Sequence, residues 1–272
     1  MQTVEAKGAR IPLIGLGTWE LRGDACSQLI KDAAKIGYRH FDTAQMYNNE
    51  TEVGEGLKHS GLKRDEYFLT TKVWPTNFKE KDFATAARES LKRLGHDSVD
   101  LLLLHWPSKD VPMAETLGAL KKAKTDGLAK NIGVSNFTIP LLDEANKILP
   151  GELVCDQVEL HPYLDGTKLN AAIRKHGMAV VAYCPIARGR LVSDTTLADV
   201  GKKYGKSAAQ VSLRYLTQQN FVVIPRTSKA ERLKENFSIF DFELSDADMK
   251  TVAALSAPSG RVVAVAHAPA WD

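Results

Sequence analysis

Short apolar runs and longer amphipathic stretches alternate along almost the whole chain. The runs Leu13–Leu16, His40–Asp42, Phe68–Thr71, Val99–Leu104, Asn131–Val134, Val154–Glu159, Ala179–Ala182 and Phe221–Ile224 are rich in Val, Ile and Leu. Such compact runs suit parallel strands covered on both faces. Between them, Asp24–Ile36, Asp82–Leu94, Met113–Thr125 and Ala208–Gln218 carry helical periodicity. Gly37, Gly95, Gly127 and Gly177 stand close behind helical segments, where a left-handed residue ends a helix. Eight strands alternating with helices predict an α/β fold, a (β/α)8 TIM barrel, over a doubly wound open sheet with the same alternation.

Length changes the picture little: 272 residues fit one barrel, and 1–272 reads as a single domain without a Pro/Gly/Ser-rich linker or low-complexity segment. Lys+Arg 36 against Asp+Glu 33 leaves a net charge of +3, dispersed along the chain. A nucleic-acid binder would concentrate its basic residues, so no nucleic acid is expected as a partner. Cys26, Cys155 and Cys184 are an odd count with no Cys-x-x-Cys pair, which suits a reducing compartment. No signal peptide and no apolar span of about 20 residues stands out, so the expected setting is cytoplasmic and away from membranes.

Several motif matches lead nowhere. Gly15-Leu16-Gly17 follows a strand, but Glu20 occupies the third position of the dinucleotide fingerprint. Gly201-Lys-Lys-Tyr-Gly205-Lys206-Ser207 has three residues between its glycines where a phosphate loop needs four, and it joins two helical patterns. Asn136-Phe137-Thr138 and Asn236-Phe237-Ser238 match the glycosylation sequon but lack a secretory context. No His/Cys cluster has metal-ligand spacing, so no metal is expected.

In a parallel barrel the chemistry sits at the C-terminal strand ends. Reading those ends collects Asp42 with Tyr47 in the loop behind it, Lys72, and His105. Together they form a set for protonating a carbonyl oxygen. Tyr titrates near about 10 and is a poor acid unless its anion is stabilised. A neighbouring Lys⁺ would lower that pKa, a carboxylate would hold the Lys charged, and a His could orient the carbonyl. Singly, each has a plainer reading: Tyr47 as packing, Asp42-Thr43 as a helix cap, Lys72 as a solvated end, His105 as a loop hydrogen bond. Their coincidence at adjacent strand ends favours function without identifying hydride transfer.

The segment Gly37-Tyr-Arg-His-Phe-Asp42-Thr-Ala-Gln-Met-Tyr47-Asn-Asn-Glu50 resembles the signature of the aldo-keto reductases. So do Thr70-Thr-Lys72-Val-Trp74, Asp100-Leu-Leu-Leu-Leu-His105-Trp-Pro107, Ile132-Gly-Val-Ser135-Asn136-Phe137, Gln157-Val-Glu-Leu-His161-Pro162, Ile224-Pro225 and Arg232-Leu-Lys-Glu235-Asn236. The likeness covers nearly the whole chain in order. It implies a barrel reductase that binds NADPH without a Rossmann domain, with Asp42, Tyr47, Lys72 and His105 as catalytic tetrad and Tyr47 as proton donor. It places Ser135, Asn136 and Gln157 on the nicotinamide carboxamide and Tyr183 against the ring. Gly17, Thr18 and Asp42 join that cofactor-binding set. Arg226, Thr227 and Arg232 fall on the 2′-phosphate positions, and Glu235 and Asn236 on adenine contacts. The family commonly has Lys and Ser where Arg226 and Thr227 stand; a guanidinium can still hold phosphate bidentately.

Trp19, Trp74 and Trp106 match aromatic walls of the family's substrate pocket. The loop after Pro107 is short, and little chain follows the last helix. This compact form is similar to bacterial 2,5-diketo-gluconate and methylglyoxal reductases, implying a small carbonyl substrate and a monomer. Arg188 and Trp271 are left without firm roles, and Cys184 without a catalytic one. Two rival readings are a non-catalytic NADPH-binding regulatory barrel and a Schiff-base aldolase using Lys72.

Overall fold

The computed structural model describes residues 1–272. Eight parallel strands follow one another in sequence order: β3 (Leu16–Gly17), β4 (His40–Asp42), β5 (Phe68–Val73), β6 (Val99–Leu104), β7 (Ala129–Ser135), β8 (Leu153–Glu159), β9 (Ala179–Tyr183) and β10 (Val222–Val223). The ring closes because Ile14 and Gly17 bridge Val223 and Arg226 in parallel. Gly15 N–H donates to Val223 O at 2.9 Å, Val223 N–H to Leu13 O at 2.9 Å, and Gly17 N–H to Pro225 O at 3.1 Å. A Cβ on Gly17 would lie 2.9 Å from the Ile224 carbonyl, so closure itself requires glycine there. The expected first strand is therefore shared: Leu13–Ile14 meets β10, whereas Leu16–Gly17 pairs with β4.

An antiparallel hairpin, β1 (Thr3–Ala6) and β2 (Ala9–Pro12), precedes the barrel and was not anticipated. Lys7 and Gly8 turn it, both at positive φ (48° and 85°), as a tight two-residue hairpin demands. Ala6, Ala9 and Ile11 pack with the inward-facing Phe68, Leu101, Leu103, Cys155, Val181 and Val222, so the hairpin covers the bottom of the barrel interior.

Outside the strands run α1 (Gly23–Ile36), α2 (Glu50–Lys58), α3 (Glu80–Leu94), α4 (Met113–Thr125), α5 (Ile139–Ile148), α6 (Thr167–Lys175), α7 (Thr195–Lys202), α8 (Ala208–Gln218), α9 (Ala230–Phe237) and α10 (Asp246–Ala253). The largest apolar core lies between this shell and the sheet, which explains why the strand runs are apolar on both faces. The Gly201–Ser207 stretch is the α7–α8 connection; Ser207 caps α8, reciprocally with Gln210, and Lys206 pairs with Asp241 at 2.6 Å. No helix is long and apolar enough to cross a membrane.

Candidate active site

A cavity of about 470 Å³ opens at the C-terminal ends of the strands. Asp42 ends β4, Lys72 lies one residue before the end of β5, and His105 follows β6 directly. Tyr47 closes a short 3-10 turn, Gln45–Tyr47, behind β4. The structure brings all of them together. The Lys72 ammonium is wholly buried and donates to Asp42 Oδ1 at 2.5 Å, Thr43 O at 2.8 Å and the Tyr47 hydroxyl oxygen at 3.5 Å. Its three hydrogens are thereby accounted for. Tyr47 receives one of them, so its own O–H is left to point elsewhere. Tyr47 and His105 line the cavity with rings edge-on, 5.5 Å apart. Neither His105 nitrogen has a hydrogen-bond partner within the protein, and Nδ1 is sealed from solvent.

Burial decides the protonation states. It pushes the Tyr47 phenol well above its ordinary value, and the Asp42 charge pushes the same way. The expected lowering by Lys72 is therefore overridden, because desolvation of the phenolate outweighs a contact as long as 3.5 Å. Burial also lowers Lys72, opposed by the Asp42 carboxylate beside it. His105 falls well below the usual imidazole value through burial, then the Lys72 charge. At neutral pH the site thus presents a protonated phenol and a neutral imidazole. Lys72, enclosed by its three acceptors, is out of reach of a substrate carbonyl carbon, contrary to what a Schiff-base nucleophile needs.

Beside these groups, β7 and β8 end in a linked amide cluster. Ser135 Oγ donates to Gln157 O at 2.7 Å, and Asn136 Nδ2 donates to His105 O and to Ser135 Oγ, both at 3.0 Å. Asn136 Oδ1 accepts from the Tyr183 hydroxyl at 2.7 Å, and Gln157 Nε2 donates to Asp42 Oδ2 at 2.8 Å. Asn136 (φ 65°) thus spends its amide inside the protein, whereas Gln157 keeps Oε1 and one hydrogen for a ligand. Thr18, also on the cavity wall, donates its hydroxyl to Asp42 O at 3.0 Å. Further along the wall come Arg188, Arg226, Thr227, Lys229 and Arg232. The expected contacts Glu235 and Asn236 are not on it: Glu235 Oε1 accepts from Ser207 Oγ at 2.5 Å, and Asn236 is buried in α9. One helical turn further along α9 than Arg232, Glu235 lies beside the start of α8, at its cap Ser207.

The three tryptophans divide. Trp74 and Trp106 flank the end of the cavity near His105, whereas Trp19 lies under the Arg188 guanidinium (4.9 Å) and gives its carbonyl to Arg226 Nε at 3.0 Å. Sequence reasoning missed the chain after α10, whose Val263, Val265 and His267 complete the wall. That segment lacks periodicity, so nothing in the pattern marked it. Trp271 packs on Arg261 (3.6 Å) and edge-on to Trp106 (6.4 Å) outside the cavity lining. Burial pushes the Cys184 thiol up to about 11, which leaves it inert at neutral pH. No group of three or more His, Cys, Asp or Glu side chains is placed to hold a metal ion. A larger groove, about 770 Å³, lies between α2 and α3 on the helical shell, away from the strand ends.

Residues 13–257 match the Aldo/keto reductase family. The chain belongs to the aldo/keto reductase family. Among aldo/keto reductases it is 38% identical over 265 residues to the methylglyoxal reductase DkgB of Escherichia coli O157:H7, covering 96% of this chain and 99% of that protein. It is 40% identical over 250 residues to the glyoxal reductase of Bacillus subtilis (strain 168), covering 92% and 90%. The crystal structure of a putative 2,5-diketo-D-gluconic acid reductase B superposes with a TM-score of 0.98 at 44% identity, covering 100% of this chain and 98% of that one. These likenesses make the protein an oxidoreductase of the carbonyl-reducing kind, and aldo/keto reductases typically use a nicotinamide cofactor. The donor set fits such a cofactor. Gln157 has unspent amide groups, Tyr183 offers an aromatic face, and four cations stand on the same wall for phosphates.

Proposed function

We propose that the protein reduces small aldehydes, ketones and dicarbonyl compounds to alcohols with NADPH. The observation that carries this reading is the Asp42–Lys72–Tyr47 chain, which ends in a protonated phenol at the cavity beside a neutral His105. The reduced nicotinamide supplies the hydride when bound. Tyr47 donates the proton to the carbonyl oxygen, and Lys72 faces the phenolate oxygen that this leaves. Asp42 holds Lys72 in place. His105, neutral and without a protein partner, donates a hydrogen bond that orients the same carbonyl. Trp74 and Trp106 enclose a substrate of few carbons and exclude water from it.

Gln157 positions the nicotinamide carboxamide through its unspent amide groups, braced by the Ser135–Asn136 pair, with Tyr183 against the ring; fixing that geometry lowers the barrier without further chemistry. Gly17 and Thr18 border the same side. Arg226 and Arg232, both exposed at the cavity rim, take the 2′-phosphate, with the Thr227 hydroxyl beside them. Glu235 and Asn236 are left out of this reading. The reading takes the protein to act as a monomer.

The names of relatives support the substrate class, since methylglyoxal and glyoxal are both small dicarbonyls. The test follows reduced-nicotinamide absorbance with methylglyoxal and NADPH or NADH in parallel. NADPH should be consumed faster, and an R226A/R232A double variant should raise its KM about ten-fold while sparing NADH. Equal use of both cofactors with no effect of the double variant would remove the phosphate site. No turnover of any small aldehyde or dicarbonyl would overturn the reductase reading.

A further inference from the structure

One polar side chain at the substrate end has no part in the reaction just described. His267 stands edge-on to Trp74 (ring centroids 5.2 Å apart, 82°) and to Trp106 (4.9 Å, 90°) and lines the cavity. It makes no side-chain hydrogen bond within the protein, and the rings it meets there are the two indoles. Trp74 also carries His105 against it, at 5.2 Å. The imidazole that faces the reacting carbonyl and the unpartnered imidazole of His267 thus share one indole.

The segment that brings His267 here is anchored. The buried Glu159 carboxylate, at the end of β8, accepts from Val262 N–H at 2.5 Å, Val263 N–H at 3.2 Å and Arg261 at 3.3 Å. Beyond His267, Asp272 accepts from Ile139 N–H at the start of α5, 2.9 Å away. His267 is therefore held between two fixed points and two aromatic rings.

We propose that His267 determines specificity by donating a hydrogen bond to a second substrate oxygen, on the carbon next to the reacting carbonyl. The inference rests on the reductase reading above and assigns its preferred substrates as 1,2-dicarbonyl compounds. With one carbonyl oxygen at Tyr47 and His105, the adjacent carbon has the Trp74–Trp106 wall beside it, and His267 presents an unpartnered imidazole donor there. A simple aldehyde offers nothing to accept there. A dicarbonyl gains one hydrogen bond there that a simple aldehyde cannot make, and one such bond is worth up to about ten-fold in kcat/KM.

The test is a ratio, kcat/KM for methylglyoxal over kcat/KM for propanal, measured for the wild type, His267→Leu and His267→Gln. His267 is exposed, so both variants should fold. The ratio should fall about ten-fold in His267→Leu. In His267→Gln, which keeps an N–H donor, it should return most of the way. A mere packing role would not be rescued by the amide. An unchanged ratio in His267→Leu would overturn the inference alone, as would equal losses in the two variants. No turnover of either aldehyde by the wild type would overturn the reductase reading and this inference with it.

Discussion

His40 shows how a single buried side chain ties this fold to pH. It sits at the start of β4 with Nε2 beside Thr70 Oγ1 at 3.2 Å, and its Nδ1 is buried without a partner. A Cβ on Gly15 would come within 2.7 Å of the ring, so no water fits between them. Burial lowers its pKa from 6.5 to about 4, only partly offset by the Asp42 charge. In the unfolded chain the imidazole binds its proton near about 6.5, whereas the folded protein resists it down to about 4. The stability that His40 contributes is therefore complete above the unfolded value and is lost as pH falls toward the folded one. The loss should total about 3 kcal/mol. Urea unfolding of the wild type and of His40→Gln at pH 7 and pH 4 checks this. The stability difference between them should shrink by about that amount; a constant difference would contradict it. At the same scale, Asp42, Tyr47, Lys72 and His105 were legible in the sequence because their types stand out against apolar strand ends. Their protonation was not legible, since it depends on how deeply the barrel encloses them. The Lys–Tyr pairing was foreseen, but the dominance of burial over it was not.

Between elements, close approach matters more than intrinsic preference. Gly54 lies inside α2, where Ala would ordinarily stabilise a helix by about 1 kcal/mol. Here a Cβ would stand 2.4 Å from the Leu94 carbonyl at the end of α3. That carbonyl belongs to backbone and cannot rotate away. Gly54→Ala should therefore destabilise the protein by about 2 kcal/mol, read as a lowered urea midpoint with unchanged m-value. A raised midpoint would mean that α2 and α3 are not packed as described. The elements themselves were largely legible: α4 and α8 run over the expected residues, and β4 and β6 coincide with their apolar runs. One failure has a physical cause. The β1–β2 hairpin is short and partly polar, with Glu5 and Arg10 outward, so neither its length nor its pattern stands out. Helix α9 brings Arg232 to the cavity wall, while Glu235 and Asn236 stand one turn further along it.

Across the whole molecule, barrel closure brings together groups that are remote in the chain. Gln157 reaches Asp42 across 115 residues, and Arg226 reaches Trp19 across 207. This convergence makes one cavity of a proton donor, an amide-recognising wall and a basic rim. The parallel barrel and its functional end were legible from strand count and alternation. The C-terminal segment that completes the wall was not, because Glu159 fixes it through backbone N–H groups, which leave no sequence pattern. The account's central claim is that Tyr47 gives up the proton, and Tyr47→Phe tests it most directly. The hydroxyl contributes one long contact to Lys72, which keeps Asp42 and Thr43 as partners, so the variant should fold and bind NADPH as the wild type does. Turnover of methylglyoxal should fall by about 10²–10⁴-fold, the range expected for loss of a general acid. Full turnover by Tyr47→Phe, with unaltered cofactor binding, would contradict the account.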